Sequence, residues 1–131
     1  FKFNYHFIPW DKENISNIIA SCDLAVIPIV PGDDFVWNKP ENKLLFFWEI
    51  GIPTLTSNTP AYKRVMDIAG LDFYCSSSNE WLNKIQNFSN SSESYKQNIV
   101  DISSRYISKF HSKEGVLKKW DLIFESLQEG L

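Results

Sequence analysis

The side chains best suited to chemistry lie close together, between Asp33 and Lys43, in the stretch PGDDFVWNKPENK. Asp33, Asp34 and Glu41 supply carboxylates, and Asn38 and Asn42 supply amides. Lys43 supplies an ammonium, which meets an anion as a point charge. Such a set can hydrogen-bond hydroxyl groups and hold an anionic group. Each member also has a plain structural role. Asp33 and Asp34 follow Pro31-Gly32, which is turn chemistry, Asn38 and Asn42 can cap a helix, and Lys43 can be a solvated lysine. Covalent catalysis has no comparable set. No Ser-His-Asp or Cys-His arrangement is suggested, no paired carboxylates stand out as glycosidase catalysts, and His6 and His111 are far apart in sequence. Nothing has the ligand spacing of a zinc site, and neither a metal nor a bound cofactor is expected.

The elements that must position this stretch read clearly on its C-terminal side. Glu41 to Ile50 has no helix breaker and ends at Gly51, a natural residue to close a helix in the left-handed conformation. Pro40 suits a first helical turn, where its missing N–H costs nothing. Leu44, Leu45, Phe46, Phe47, Trp48 and Ile50 surround the axis, so the helix must be buried on more than one side. Its polar first turn then presents free N–H groups and the positive end of the helix dipole, a common anion site. Pro53 blocks further helix, and residues 53–57 read as a strand.

The remaining chain alternates. Residues 2–8, KFNYHFI, read as a strand, and Asp11 as the cap of a helix over 12–21. Residues 23–29, DLAVIPI, read as a strand buried on both faces, with Pro28 ending its pairing early. Thr59 and Pro60 start a helix that Gly70 stops, and 71–75 is a fourth short strand. Ser77 and Glu80 form a capping box for a helix through Phe88. A polar linker follows, then helices over 93–110 and 113–128. In the last, Val116, Leu117, Trp120, Ile123, Phe124 and Leu127 fall on one stripe. The expectation is a parallel α/β layer sandwich, a Rossmann-like sheet flanked by helices, in one domain over 1–131 with a helical segment at 93–131.

Composition narrows the function classes. With 131 residues, 44% of them hydrophobic, the chain can bury a substantial core. The net charge is −3 and the lysines are scattered, so no nucleic-acid footprint is present. Two cysteines, Cys22 and Cys75, make no disulfide framework. No apolar run reaches the length of a membrane span, and no signal peptide is visible. A flavodoxin-like alternative would need a glycine-rich phosphate loop after the first strand, which His6-Phe-Ile-Pro-Trp10 does not supply.

The pattern N-K-L-L-x-x-W-x-x-G-I-P-x-x-x-S-x-T-P-A-Y, residues 42–62, resembles the C-terminal domain of GT-B glycosyltransferases of the retaining type, which use nucleotide-sugar donors. Elsewhere the resemblance rests on the order of elements. It implies a cytoplasmic, hexosyltransferase-like enzyme moving a sugar from a nucleotide diphosphate-sugar to an acceptor, in a setting such as cell-surface polysaccharide biosynthesis. The inner membrane surface would be its place of work. It also implies that two βα units and an N-terminal acceptor domain precede the chain, and that this piece alone is inactive.

By the resemblance, amides near Glu41 to Leu44, helped by Lys43, would hold the diphosphate. Asn38 and Asn42 would reach ribose or sugar hydroxyls, Asp33 and Asp34 would accept from the sugar, and Trp37 would line the sugar pocket. Trp10 stands about where the family holds the base; an indole there can stack on the base or close a core edge. The pocket would lie at the carboxyl ends of strands 23–29 and 53–57. No residue here is expected to be catalytic, since the donor half mainly binds the nucleotide and stabilises the departing diphosphate. Many members carry two glutamates eight residues apart at positions occupied here by Asn38 and Phe46. That departure fits a second reading, a non-catalytic relative acting in assembly. An open sheet edge and the stripe on the last helix imply a homodimer.

Overall fold

The computed structural model describes residues 4–129. Three short strands form one parallel sheet in the order of the chain: β1 (Ala25–Ile27), β2 (Thr54–Ser57) and β3 (Tyr74–Cys75). Ala25 faces Thr54, Val26 faces Leu55 and Ile27 faces Thr56; on the other side Thr56 faces Tyr74 and Ser57 faces Cys75. Seven helices surround the sheet among the described residues: α1 (Ile15–Ala20), α2 (Asp34–Trp37), α3 (Asn42–Ile50), α4 (Pro60–Ala69), α5 (Ser78–Ser89), α6 (Glu93–Phe110) and α7 (Lys113–Glu129). The protein is thus a mixed α/β structure with a small parallel sheet flanked by helices.

Local chemistry sets most boundaries. Pro28 has no N–H to donate, and β1 stops at the residue before it. The Ser57 hydroxyl then takes the place of a strand partner: it accepts from Ile29 N (2.7 Å) and donates to Ile29 O (3.1 Å). Thr59 caps α4 by accepting from Tyr62 N, with Pro60 as the first helical residue. Gly51 and Gly70 close α3 and α4 at φ 91° and 77°, values that suit a residue without a β-carbon. Ser77 accepts from Glu80 N at 3.3 Å, while the Glu80 carboxylate reaches back to Ser76 N at 2.8 Å.

Helix α3 is the centre of the packing. It rests on β1 and β2 and is covered by α1 and α6. Leu44 and Trp48 are fully buried there, and Trp48 meets Tyr106 of α6 edge to face at 5.5 Å. Leu55, Val65, Met66, Phe73, Phe88 and Ile99 continue the core across the sheet to α4, α5 and α6. All four residues of β2 are buried, so helices cover both faces of the sheet.

Three expectations are corrected. The strand expected over 2–8 is not formed at 4–8, which has no regular secondary structure; residues 2 and 3 lie outside the described residues. Tyr5 and Phe7 are more than four-fifths exposed. Alternating apolar residues favour a strand only where a partner and a covering face exist. The free edge of β1 receives no partner among the described residues, and Val26 is left half exposed. Helix α1 begins at Ile15, later than expected, with Asp11 holding Glu13 N and the Asn14 amide in the preceding turn. Pro40 lies before α3, whose cap is Glu41.

Helix α7 contacts α6 and is otherwise largely exposed over 113–128. At their junction Gly115 leaves no room for a side chain: a β-carbon would sit 2.8 Å from the Lys109 carbonyl oxygen. The Gly115 N–H donates to Ser112 Oγ, and Lys119 Nζ donates to Phe110 O.

Candidate functional site

Two hollows adjoin the carboxyl ends of the strands, meeting at Ile29. The larger, about 580 Å³, lies against the free edge of β1 between α1 and α3. Its wall is apolar, with Trp10, Ile15, Ile19, Val26, Pro28, Phe46 and Phe47, and its polar rim is Asn42 and Lys43. The smaller, about 280 Å³, spans the ends of all three strands. Trp37 and Trp81 form its apolar part, and Ser57, Ser76, Ser77 and Ser78 bring hydroxyls. No charged side chain lines it.

The residues expected to bind a ligand separate into two groups. Trp10, Asn42 and Lys43 come together on the larger cleft. Lys43 is exposed and makes no ion pair among the described residues. The cap residue of α3 offers no side-chain hydrogen bond, so the N–H groups of the first turn keep their donor capacity. Leu44 is fully buried, and only its amide belongs to that turn.

Asp33, Asn38 and Glu41 are engaged within the protein. Asp33 caps α2, accepting from Phe35 N (2.9 Å) and Val36 N (3.1 Å). The Asn38 amide donates to Asp34 O at 2.8 Å and closes the same helix. Glu41 receives Arg64 Nη2 on both carboxylate oxygens, at 3.0 and 2.9 Å, tying the start of α3 to α4. Turn chemistry at Asp33 and Asp34 therefore builds a short helix, one that the sequence pattern does not announce because it has a single turn.

Phe46 lines the larger cleft with its aromatic ring. Trp37 lines the smaller hollow together with serines from the β3–α5 junction. Of those serines only Ser77 was legible, as helix-capping chemistry; the proximity of β2 and β3 makes them a lining.

Covalent chemistry finds no support in the side chains. Cys75 is buried, and burial pushes its thiol up to about 11, away from the thiolate a nucleophile needs. Cys22 is exposed and its Sγ leans on the Ile18 carbonyl. Burial and the nearby Lys119 ammonium hold His111 below the usual histidine range. Among the described residues no group of three acidic, histidine or cysteine side chains is placed to hold a metal ion, and no helix is long and apolar enough to cross a membrane. The arrangement can bind a partly apolar, partly anionic ligand by shape, aromatic contact and helix-terminal donors. No family, curated protein or solved structure matches the chain.

Proposed function

We propose that the chain is the donor-binding part of a GT-B-type glycosyltransferase with a Rossmann-like sheet, holding a nucleotide diphosphate-sugar for transfer to an acceptor. The carrying observation is the placement of Asn42 and Lys43, on the uncapped first turn of α3, across one cleft from the Trp10 indole. An ammonium and helix-terminal N–H groups suit a diphosphate. Trp10 and the apolar wall suit a base. The hydroxyl- and indole-lined hollow beyond Ile29 suits the uncharged sugar ring. Departure of the diphosphate needs electrostatic stabilisation more than proton transfer, in keeping with a site without nucleophile or acid-base pair.

A calorimetric titration with a panel of nucleotide diphosphate-sugars tests this reading. Binding by one of them is expected, weakened by about 1–3 kcal/mol in Lys43→Ala, the scale of a charged hydrogen bond. Trp10→Ala should weaken it as well. A folded protein that binds none of the panel would defeat the proposal. That outcome would favour a non-catalytic glycosyltransferase-like domain acting in assembly. Phe46 in the cleft and the internal engagement of Asp33, Asn38 and Glu41 are the observations behind that second reading.

A further inference from the structure

On the reading that places the diphosphate and base in the larger cleft, we infer that the smaller hollow takes a single uncharged hexose ring and turns away sugars that carry a carboxylate. Trp37, Trp81 and Ser76 to Ser78 are the residues that decide. At about 280 Å³ the hollow lies near the roughly 300 Å³ lower end of small-molecule sites. That is room for one ring rather than two.

The lining suits both the faces and the edge of a pyranose. The ring's C–H bonds, polarised by the neighbouring oxygens, rest well against the negative face of an indole. Trp37 from α2 and Trp81 from α5 both line the hollow, and each is only half-buried, so aromatic surface is left to offer. The sugar's hydroxyl oxygens need donors, and the β3–α5 junction has them. Ser76 Oγ accepts from Asn58 Nδ2 at 2.9 Å, and Ser77 Oγ accepts from Glu80 N at 3.3 Å. Among the described residues neither hydroxyl donates its own proton within the protein, and Ser78 Oγ makes no hydrogen bond at all. The Ser57 proton, by contrast, is spent on Ile29 O.

Charge decides between a hexose and a uronic acid. A carboxylate brought into the hollow finds no cation in its lining. Lys84 reaches the Tyr74 carbonyl, next to Cys75, but Asp72 holds it at 2.6 Å. The start of α5 would welcome an anion through its dipole, yet Glu80 already stands in that first turn. The Glu80 carboxylate accepts from Ser76 N at 2.8 Å, beside the donor hydroxyls. A second negative charge would lodge there unpaired and close to the first, the repulsive element by which a site rejects a competitor. The start of α3 differs, with Lys43 in no ion pair among the described residues and no side-chain cap. The anionic part of the donor belongs at α3 and its neutral end at α5.

The test is calorimetric titration with two series of probes. One is uridine diphosphate (UDP), UDP-glucose and UDP-glucuronic acid; the other is guanosine diphosphate (GDP), GDP-mannose and GDP-mannuronic acid. In the series that binds, the neutral hexose is expected to hold tighter than the bare diphosphate, and the uronic acid about tenfold weaker than the hexose. Trp37→Ala should erase most of the advantage that the hexose has over the bare diphosphate. Ser78→Lys places a cation in the lining, at an exposed position where the chain is expected to fold, and should turn the preference toward the uronic acid. Equal affinity for hexose and uronic acid would overturn the inference and leave the cleft as a nucleotide site. So would a hexose that adds nothing to the bare diphosphate, or an unchanged preference in folded Ser78→Lys. Binding in neither series would instead defeat the reading of the larger cleft, and the hexose site with it.

Discussion

Helices α3 and α7 carry the same kinds of residue and meet opposite fates. Each has one tryptophan among leucine, isoleucine and phenylalanine. Trp48 of α3 is 2% exposed, lying between the sheet and α6; Trp120 of α7 is 53% exposed, stacked only on Phe124 of its own helix. The difference lies in the distribution around the axis. In α3 apolar residues occur in every direction after the first turn, and only a site enclosed by several elements satisfies them. In α7 they form one stripe backed by charged residues, which a single flat partner satisfies. Apolar content thus states how much surface has to leave water, and its angular spread states how many neighbours that takes.

The same substitution at the two tryptophans gives the strongest test of this contrast. Trp48→Ala should lower unfolding free energy by about 3–5 kcal/mol, the cost of an aromatic cavity in a core. Trp120→Ala should change it by no more than about 0.5 kcal/mol, the range of exposed positions. Urea denaturation followed by circular dichroism checks both. A comparable loss at Trp120 would mean that the stripe is packed within one chain.

A gain is expected beneath α3, where burial is imperfect. Thr56 is fully buried in β2 and its hydroxyl has no hydrogen-bond partner. Thr56→Val keeps the shape and removes the unpaired group, which should raise stability by about 1 kcal/mol, visible as a higher Tm. An unchanged or lower Tm would show that the hydroxyl is satisfied in solution.

The polar start of α3 should matter less. Arg64→Ala frees Glu41, but Arg64 is 58% exposed, and such pairs are worth about 0–1 kcal/mol. A loss well above that in thermal unfolding would make the pair a true anchor of α3. The smallest effect is expected where α6 turns into α7. His111 has its folded pKa lowered, first by burial and then by Lys119. The unfolded chain then binds the proton more readily, so stability falls as pH drops through the ordinary value of 6.5. His111→Asn should flatten that shallow slope in denaturation series between neutral and mildly acidic pH.

The sequence was legible where a local interaction decides the outcome. Thr59-Pro60 and Gly70 mark the two ends of α4, Ser77 with Glu80 marks the start of α5, and Pro28 marks the stop of β1. Burial in α3 was legible in part: Leu44 and Trp48 are buried, while Phe46 and Phe47 line the larger cleft and Glu49 is exposed. Distant pairing decided the rest. Residues 4–8 have a strand pattern but no strand beside them, and β3 has only two residues because its ladder depends on β2. At the candidate site, types and spacing pointed to Asn42 and Lys43, and the family resemblance added Trp10. They did not reveal that Glu41 is taken by Arg64, 23 residues away, or that serines after β3 face Trp37.

Gly115 gives the protein a steering point. A β-carbon there would meet a backbone carbonyl, which cannot rotate aside as a side chain can, so α7 itself would have to swing. A helix of 17 residues reaches about 25 Å, and a turn of roughly 10° at its base carries the far end through about 4 Å. One added methyl group would therefore re-aim the whole arm while leaving every residue of its apolar stripe in place. Small-angle scattering of Gly115→Ala would register the change as an altered molecular envelope.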